Sequence, residues 1–350
     1  DSITSMQLAA RARRDGLVVT PRQVFDERTP GRLAAVAEAP VTGARENDEA
    51  TGDVTATPVM REAGEWSLRA RFAQWVIVTT PGGLALDAVA HGWQAVAEAH
   101  PMLRARAVPG GGLVAGDPSS PAPAGLVARI DATAAAADDL DALAQDAARE
   151  AAAALDPARG VVARLAWLDA GPDRLGRLAI VVHHLVVDGV SWRVLTDDVA
   201  EAVRAVAAGT TPALVPEGTS FRTWAAAAAA QAVSSGRTAE LDSWTALAAD
   251  AASVPGLPAP DPVRDVAASM RRRVWRLPAG VADDLVGRVP AAFHCGVDEV
   301  LLAGLVAGVA SWRGGGGGGL LVAVEGHGRE PLAGGMDLSR TVGWFTSVYP

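Results

Sequence analysis

The stretch richest in reactive groups is His183-His184-Leu185-Val186-Val187-Asp188-Gly189-Val190-Ser191-Trp192. Imidazole exchanges protons near neutrality and is the side chain most often used for general acid–base work. An apolar run, Leu178 to Val182, leads into the two histidines. Leu195, Val199, Val203 and Val206 follow at spacings of three and four. That pattern sets the histidines at the end of a buried strand, ahead of a turn and a helix. Neighbouring side chains on a strand point to opposite faces. One imidazole therefore faces a cavity while the other is held in the interior. A metal site is disfavoured, because adjacent histidines diverge and Asp188 has no third ligand nearby in sequence. The bland alternative is a core histidine pair with Asp188 capping the next helix.

A carboxylate comes from elsewhere. Glu325-Gly326-His327-Gly328-Arg329-Glu330 follows an apolar run, Leu320 to Val324, expected to be a buried strand in a second lobe. Thr341-Val342-Gly343-Trp344-Phe345-Thr346 comes soon after. Arg329 has Glu330, Asp188 or a phosphate as candidate partners, and spacing does not choose among them. His91 and His100 lie on or beside a helix face and read as packing or surface residues. His294 and Cys295 precede what reads as a core helix.

The elements that would position these groups alternate in type. Three short helices are expected in residues 1–39: one ending at Gly16, one after Thr20-Pro21, one after Thr29-Pro30. Residues 40–57 are polar and acidic and read as a linker. Strands are expected over Phe72–Thr79, Leu103–Val108, Leu126–Ile130, Val161–Leu168, Leu178–His184 and Met270–Leu277. Helices are expected from Leu86 to near His100-Pro101, and over Asp138–Leu155, Trp192–Ala208, Ser220–Val233, Ala239–Ala249, Ala279–Val289 and Asp298–Trp312, the last opened by Asp298. The tryptophans at 192, 224, 244, 275 and 312 mostly sit at core spacing. The Pro-rich residues 253–262 suggest a boundary, with one lobe over 58–252 and another over 253–350. Alternating strands and helices place the chain in the α/β or α+β class with a mixed sheet. The glycine run 314–319 reads as a surface loop, since it lacks the setting of a phosphate loop.

At 350 residues the chain is long enough for more than one folded unit. Its net charge of −9 argues against general nucleic-acid binding. All 31 basic residues are Arg, and with the Ala and Gly excess this reads as coding bias. The single Cys295 cannot form an internal disulfide, which suits a reducing cytosol. No secretory leader or membrane-spanning run is evident. The start without Met and the end at Pro350 suggest a segment of a longer polypeptide.

Two resemblances add to this reading. Asp1-Ser2-Ile3, Gln7-Leu8, Pro21, Val24-Phe25 and Thr29-Pro30 with Leu33-Ala34 resemble the second half of a peptidyl carrier domain of nonribosomal peptide synthetases. The resemblance implies that Ser2 carries 4′-phosphopantetheine; without it, Ser2 reads as a plain helix N-cap. From Phe72 on, the chain resembles the epimerization domain of the same synthetases, within the condensation-domain superfamily. Carrying that likeness are Gln74, Ala99-His100-Pro101-Met102-Leu103-Arg104, the His183 stretch with its Ser191-Trp192 tail, Ser220-Phe221 with Trp224, and the two late motifs. The tail and Glu325-Gly326-His327-Gly328-Arg329 separate epimerization from condensation members.

The resemblance implies two chloramphenicol-acetyltransferase-like lobes in a V, the second incomplete, with a tunnel admitting a phosphopantetheine arm. His184 and Glu325 would be the catalytic pair. His183, Asp188 (paired to an arginine) and Gly189 would be structural. The implied activity is L-to-D inversion at Cα of a carrier-bound aminoacyl or peptidyl thioester in the cytoplasm. The implied partners are upstream adenylation and carrier domains and a downstream condensation domain, with no metal, nucleic acid or membrane. The alternatives are a condensation enzyme and a non-catalytic carrier-docking module.

Overall fold

The computed structural model describes the chain outside residues 1–3, 6–7, 10, 13–14, 39–47, 110–111, 118, 250–260, 262, 315–319, 331 and 333–335, and outside the side chains of residues 21, 22, 25 and 267. The chain separates into two compact units. One comprises Asp1–Thr238 with Glu325–Val348, and the other Ala239–Val324 with Tyr349–Pro350. The observed division thus differs from the expected one at 253. The stretch bearing both late motifs belongs to the same unit as the histidines.

The first unit opens with helices α1 (Pro21–Glu27) and α2 (Pro30–Val36). Thr20 and Thr29 cap them, each side-chain oxygen accepting from the N–H three residues on, with Pro in the first turn. The expected linker ends early. Asp48 accepts hydrogen bonds from the N–H and hydroxyl of Ser220, and β1 (Gly52–Val54) pairs with a strand about sixty residues on. Acidic composition suggested a free tether, but these carboxylates and backbone groups have partners within the fold.

Next come α3 (Pro58–Ala63), β2 (Ala73–Thr80), α4 (Leu86–Ala99), β3 (Arg106–Val108), β4 (Gly112–Ala115), β5 (Val127–Asp131), α5 (Leu140–Ala153), β6 (Ala163–Asp169), β7 (Gly176–His183), α6 (Ser191–Ala207) and α7 (Phe221–Ala232). The main sheet runs β2-β7-β6-β5. Strand β7 is antiparallel to both neighbours, whereas β5 joins β6 in parallel after the α5 crossover. Helices cover both faces, which explains why β7 reads as an unbroken apolar run. Leu178, Ile180 and Val182 pack with Val89, Trp93 and Val96 of α4 and Leu195 and Val199 of α6. Ala179 and Val181 pack on the other side with Ala144, Ala147 and Ala148 of α5. This sheet delivers His183 and His184 at the C-terminal end of its inner strand β7, ahead of the α6 N-terminus. The unit closes with β8 (Val324–Gly326) and β9 (Ser347–Tyr349), which pair with one another and whose outermost residues count with the second unit.

The second unit contains α8 (Leu241–Ala249), α9 (Ala279–Asp283), a π-helical turn, α10 (Val289–Phe293) and α11 (Val297–Trp312). Several expectations fail here. Met270–Leu277 forms no strand, and Trp275 is 78% exposed. Four arginines crowd that segment and no described strand pairs with it, so its apolar residues find no cover. Helix α11 forms as expected, but it is capped at Gly296, whose N–H donates to Glu299, and not at Asp298. None of its residues is buried, and Leu301 and Leu305 are exposed, so it is not a core helix among the described residues. Trp192 and Trp224 are core residues, whereas Trp244, Trp275 and Trp312 are exposed. Residues 320–323 are not a buried strand; Leu321 is exposed and only Val324–Gly326 pairs. No single described helix is long and apolar enough to cross a membrane.

Candidate active site

The two histidines take the divergent environments that strand alternation demands. His183 is fully buried. Its Nε2–H donates to the Arg69 carbonyl at 3.1 Å, and Nδ1 accepts from the Leu185 N–H at 3.3 Å. Burial drives its pKa down to about 4; the Arg69 carbonyl opposes the fall and neighbouring His184 adds to it. It is a neutral, internally bonded ring that holds the strand end.

His184 is partly exposed. Its backbone N–H donates to the Phe72 carbonyl at 2.9 Å, continuing the pairing of β7 with β2. Nδ1 lies 2.8 Å from the Val187 carbonyl, which can only accept, so this nitrogen carries the hydrogen. Nε2 lies 2.9 Å from the Gln74 amide nitrogen. The Gln74 oxygen accepts from the Trp192 indole N–H at 2.8 Å. An indole only donates, so the orientation of the carboxamide is fixed and its NH2 faces the imidazole. Nε2 therefore presents its lone pair. Phe72 stacks on the ring at 4.8 Å between centroids, and Trp344 lies against it at the same separation.

Asp188 anchors the turn after the histidines. Its carboxylate accepts from Ser191 N–H and Ser191 hydroxyl, both at 2.8 Å, from Arg329 at 2.8 Å, and from Phe345 N–H at 3.2 Å. Arg329 is the arginine partner that spacing left open. It also donates to the carbonyls of Thr341 and Leu338 and lies 4.1 Å over the Phe345 ring. Two glycines permit this packing. Gly328 has φ +65° and sits where a Cβ would overlap the Phe345 carbonyl; a Cβ on Gly343 would strike the Phe221 ring. Gly189 differs: it is exposed, its φ is ordinary and an added Cβ would meet nothing within 4 Å, so the structure shows no steric need for glycine there.

Sequence reasoning missed a second buried cluster. His100 is fully buried, so it is not a surface residue, and it does more than pack, since both ring nitrogens have polar partners. Its Nε2 lies 2.8 Å from Asp198 and its Nδ1 2.8 Å from Glu217. Arg340 makes two bonds to Asp198, at 2.6 and 2.7 Å, and Glu217 accepts from Val342 N–H at 3.0 Å. Burial favours neutral His100, but the two carboxylates overcome it and raise its pKa. Burial likewise opposes ionisation of Asp198, while His100 and Arg340 prevail and lower its pKa. The signal was present in the sequence: Asp198 falls three residues after Leu195 and four before Ala202, on the buried stripe of α6.

Glu325 lies on β8, exposed, with no hydrogen-bond or ion-pair partner among the described residues. It enters the neighbourhood through the chain. Three residues on, Gly328 abuts the Phe345 backbone, and Trp344 touches His184. His327 Nδ1 accepts from Arg329 N–H at 3.0 Å and so shapes this turn. Ser2 lies outside the described residues, as do glycines 315–319. Among the described residues no group of three or more His, Cys, Asp or Glu is arranged to hold a metal ion.

Comparison with known proteins agrees with this architecture. The family model described as "Condensation domain" matches residues 69–350. A linear gramicidin synthase of Brevibacillus parabrevis is 33% identical over 360 residues, covering 100% of this chain and 7% of that protein. Chondramide synthase cmdD of Chondromyces crocatus is 32% identical, covering 100% of this chain and 9% of that protein. The chain thus spans under a tenth of the length of these relatives. Among solved structures, the epimerization domain from the third module of tyrocidine synthetase B aligns with TM-score 0.72 and 25% identity, over 86% of this chain and 68% of that one. The first condensation domain of the calcium-dependent antibiotic synthetase, with a substrate analogue, aligns with TM-score 0.62 and 20% identity, over 87% of this chain and 69% of that one. The mixed α/β architecture is the condensation-domain fold, of chloramphenicol-acetyltransferase type.

The buried charges and rings make two stability predictions. Removing Arg329 strands a buried carboxylate, and such a loss costs about 3–5 kcal/mol. Arg329→Met should therefore lower the denaturation free energy by that order, and Asp188→Asn in the same chain should restore part of it. An Arg329→Met chain as stable as the parent would contradict the pairing. His183 titrates near 4 when folded and near 6.5 when unfolded. The unfolded chain takes up the proton first on acidification. The stability held by neutral His183 is intact above pH 6.5 and is lost as pH falls towards 4, by roughly 3 kcal/mol. Denaturation of the parent and of His183→Asn across that window should show a steeper loss in the parent. Parallel curves would count against it.

Proposed function

Because this chain belongs to the condensation-domain family, we propose that it is an epimerization domain, inverting Cα of an aminoacyl or peptidyl thioester held on a carrier domain's phosphopantetheine arm during nonribosomal peptide synthesis. The observation that carries this reading is the immobilised imidazole of His184, whose Nε2 lone pair is held in a part-open setting within the same unit as the exposed Glu325. The motif around Glu325 and the greater likeness to a solved epimerization domain than to a condensation domain support it further.

The chemistry asks for such groups. A thioester carbonyl acidifies the neighbouring Cα–H because the enolate spreads its charge onto oxygen. Inversion takes a proton from one face and returns one to the other. Two groups on opposite sides of the carbon achieve this more directly than one group that must travel. In this reading His184 and Glu325 are that pair, exchanging acid and base roles with the hand of the substrate. His183 and Asp188 hold the strand end and the turn. Ser2 is the arm's attachment point when the chain acts on its own carrier, and neighbouring adenylation and condensation domains load and consume the thioester.

The test is solvent deuterium incorporation at Cα of a loaded aminoacyl thioester. His184→Ala and Glu325→Gln should each slow inversion by about 10²–10⁴-fold, the usual contribution of a positioned proton-transfer group. Exchange that persists unchanged in the double variant would eliminate the pair. Peptide-bond formation without inversion would favour the condensation reading.

A further inference from the structure

Gln74 occupies a place that proton transfer by His184 alone does not explain. It is a polar side chain on a sheet strand, in register with buried Val182 on the face covered by α6. Its oxygen is committed to the Trp192 indole N–H, and one N–H of its amide is given to His184 Nε2. The second N–H has no partner among the described residues. A donor whose direction is locked by a tryptophan thus stands 2.9 Å from the nitrogen that would take the Cα proton.

We propose that Gln74 is a catalytic residue: the amide, held by Trp192, donates a hydrogen bond to the thioester oxygen as enolate charge develops there. This rests on the epimerization reading. In the empty site the amide caps the Nε2 lone pair. When a thioester enters, its oxygen takes an amide N–H and the lone pair is released to Cα. The Cα–H bond then breaks, its proton passes to Nε2, and its electron pair moves into the Cα–C bond as the carbonyl π pair moves onto oxygen. That oxygen sits one carbon away from the reacting centre, so its donor must stand beside the base, as Gln74 does. No bond to Gln74 forms or breaks. Because that exchange is completed on binding, the donor faces the developing charge and needs no reorganisation during the proton-transfer step.

The test measures inversion and Cα deuterium uptake on a loaded thioester for Gln74→Leu, Gln74→Glu and Trp192→Phe in the full chain. Loss of one such donor lowers kcat by about 10²–10³-fold. Gln74→Leu should show that fall with little change in KM. Gln74→Glu should fall further, because a carboxylate repels the enolate. Trp192→Phe should fall less, since it frees the amide to turn without removing it. Nitrogen-15 spectra of the histidines should still show His184 protonated at Nδ1 in Gln74→Leu, because the Val187 carbonyl remains. That result separates lost donation from a displaced ring. Should Gln74→Leu not fold, Gln74→Asn and Trp192→Phe carry the same comparison, with a shortened and an unanchored donor. An active parent with unchanged kcat in these variants, or with losses confined to KM, overturns the proposal alone. A parent that exchanges no Cα deuterium removes the epimerization premise and this proposal together.

Discussion

The buried ion pair between Asp188 and Arg329 is the constraint on which the site depends. It joins a turn after the central strand to a loop 141 residues later. Around it the Ser191 hydroxyl, the Phe345 N–H and the Thr341 carbonyl close a set of hydrogen bonds. Such a pair adds little net stability over an apolar equivalent, because both ions lose their water. Its effect is on placement: two chain segments have one register in which the Asp188 carboxylate and both terminal nitrogens of Arg329 find partners. That register lays Trp344 against His184 and brings Gly328 onto the Phe345 backbone, three residues from Glu325.

A second buried cluster repeats the device on the same segment. Arg340 and Val342 reach Asp198 and Glu217, and His100 bridges the two carboxylates. The stretch 340–345 is thus fastened at both ends, by Arg340 to α6 and by Phe345 to the Asp188 turn. Between these fastenings Gly343 and Trp344 fit the aromatic surfaces of Phe221 and His184. The raised pKa of His100 and the lowered pKa of Asp198 follow from the charges and hydrogen bonds of this cluster prevailing over burial, whereas burial itself lowers that of His183.

Much of this was legible from the chain alone, for physical reasons. Strand β7 is buried on both faces, so its apolar run is unbroken. The alternation rule separated the two histidines, and Thr20, Thr29 and Ser220 marked helix starts. Long-range polar partners were not legible. Gln74, His100, Glu217 and Arg340 find each other or the site across separations near or above one hundred residues, and no local pattern encodes that. A polar residue on a buried stripe, such as Asp198, signals that a partner exists without naming it. Composition also misled at residues 48–57, where acidic side chains serve as hydrogen-bond acceptors inside the fold. In the second unit, apolar spacing foretold helices correctly but not their cover, since periodicity reports a face and never what meets it.

The central claim is that the imidazole edge presented by His184 works with a second group to make one carbon lose its handedness. It is met most directly by following stereochemistry from both directions. The full chain would be given the same aminoacyl thioester on a carrier, once wholly L and once wholly D, and the released amino acid resolved by chiral chromatography over time. The account predicts that both reactions converge on a single D-to-L ratio. Two samples that keep the hand with which they began would contradict it.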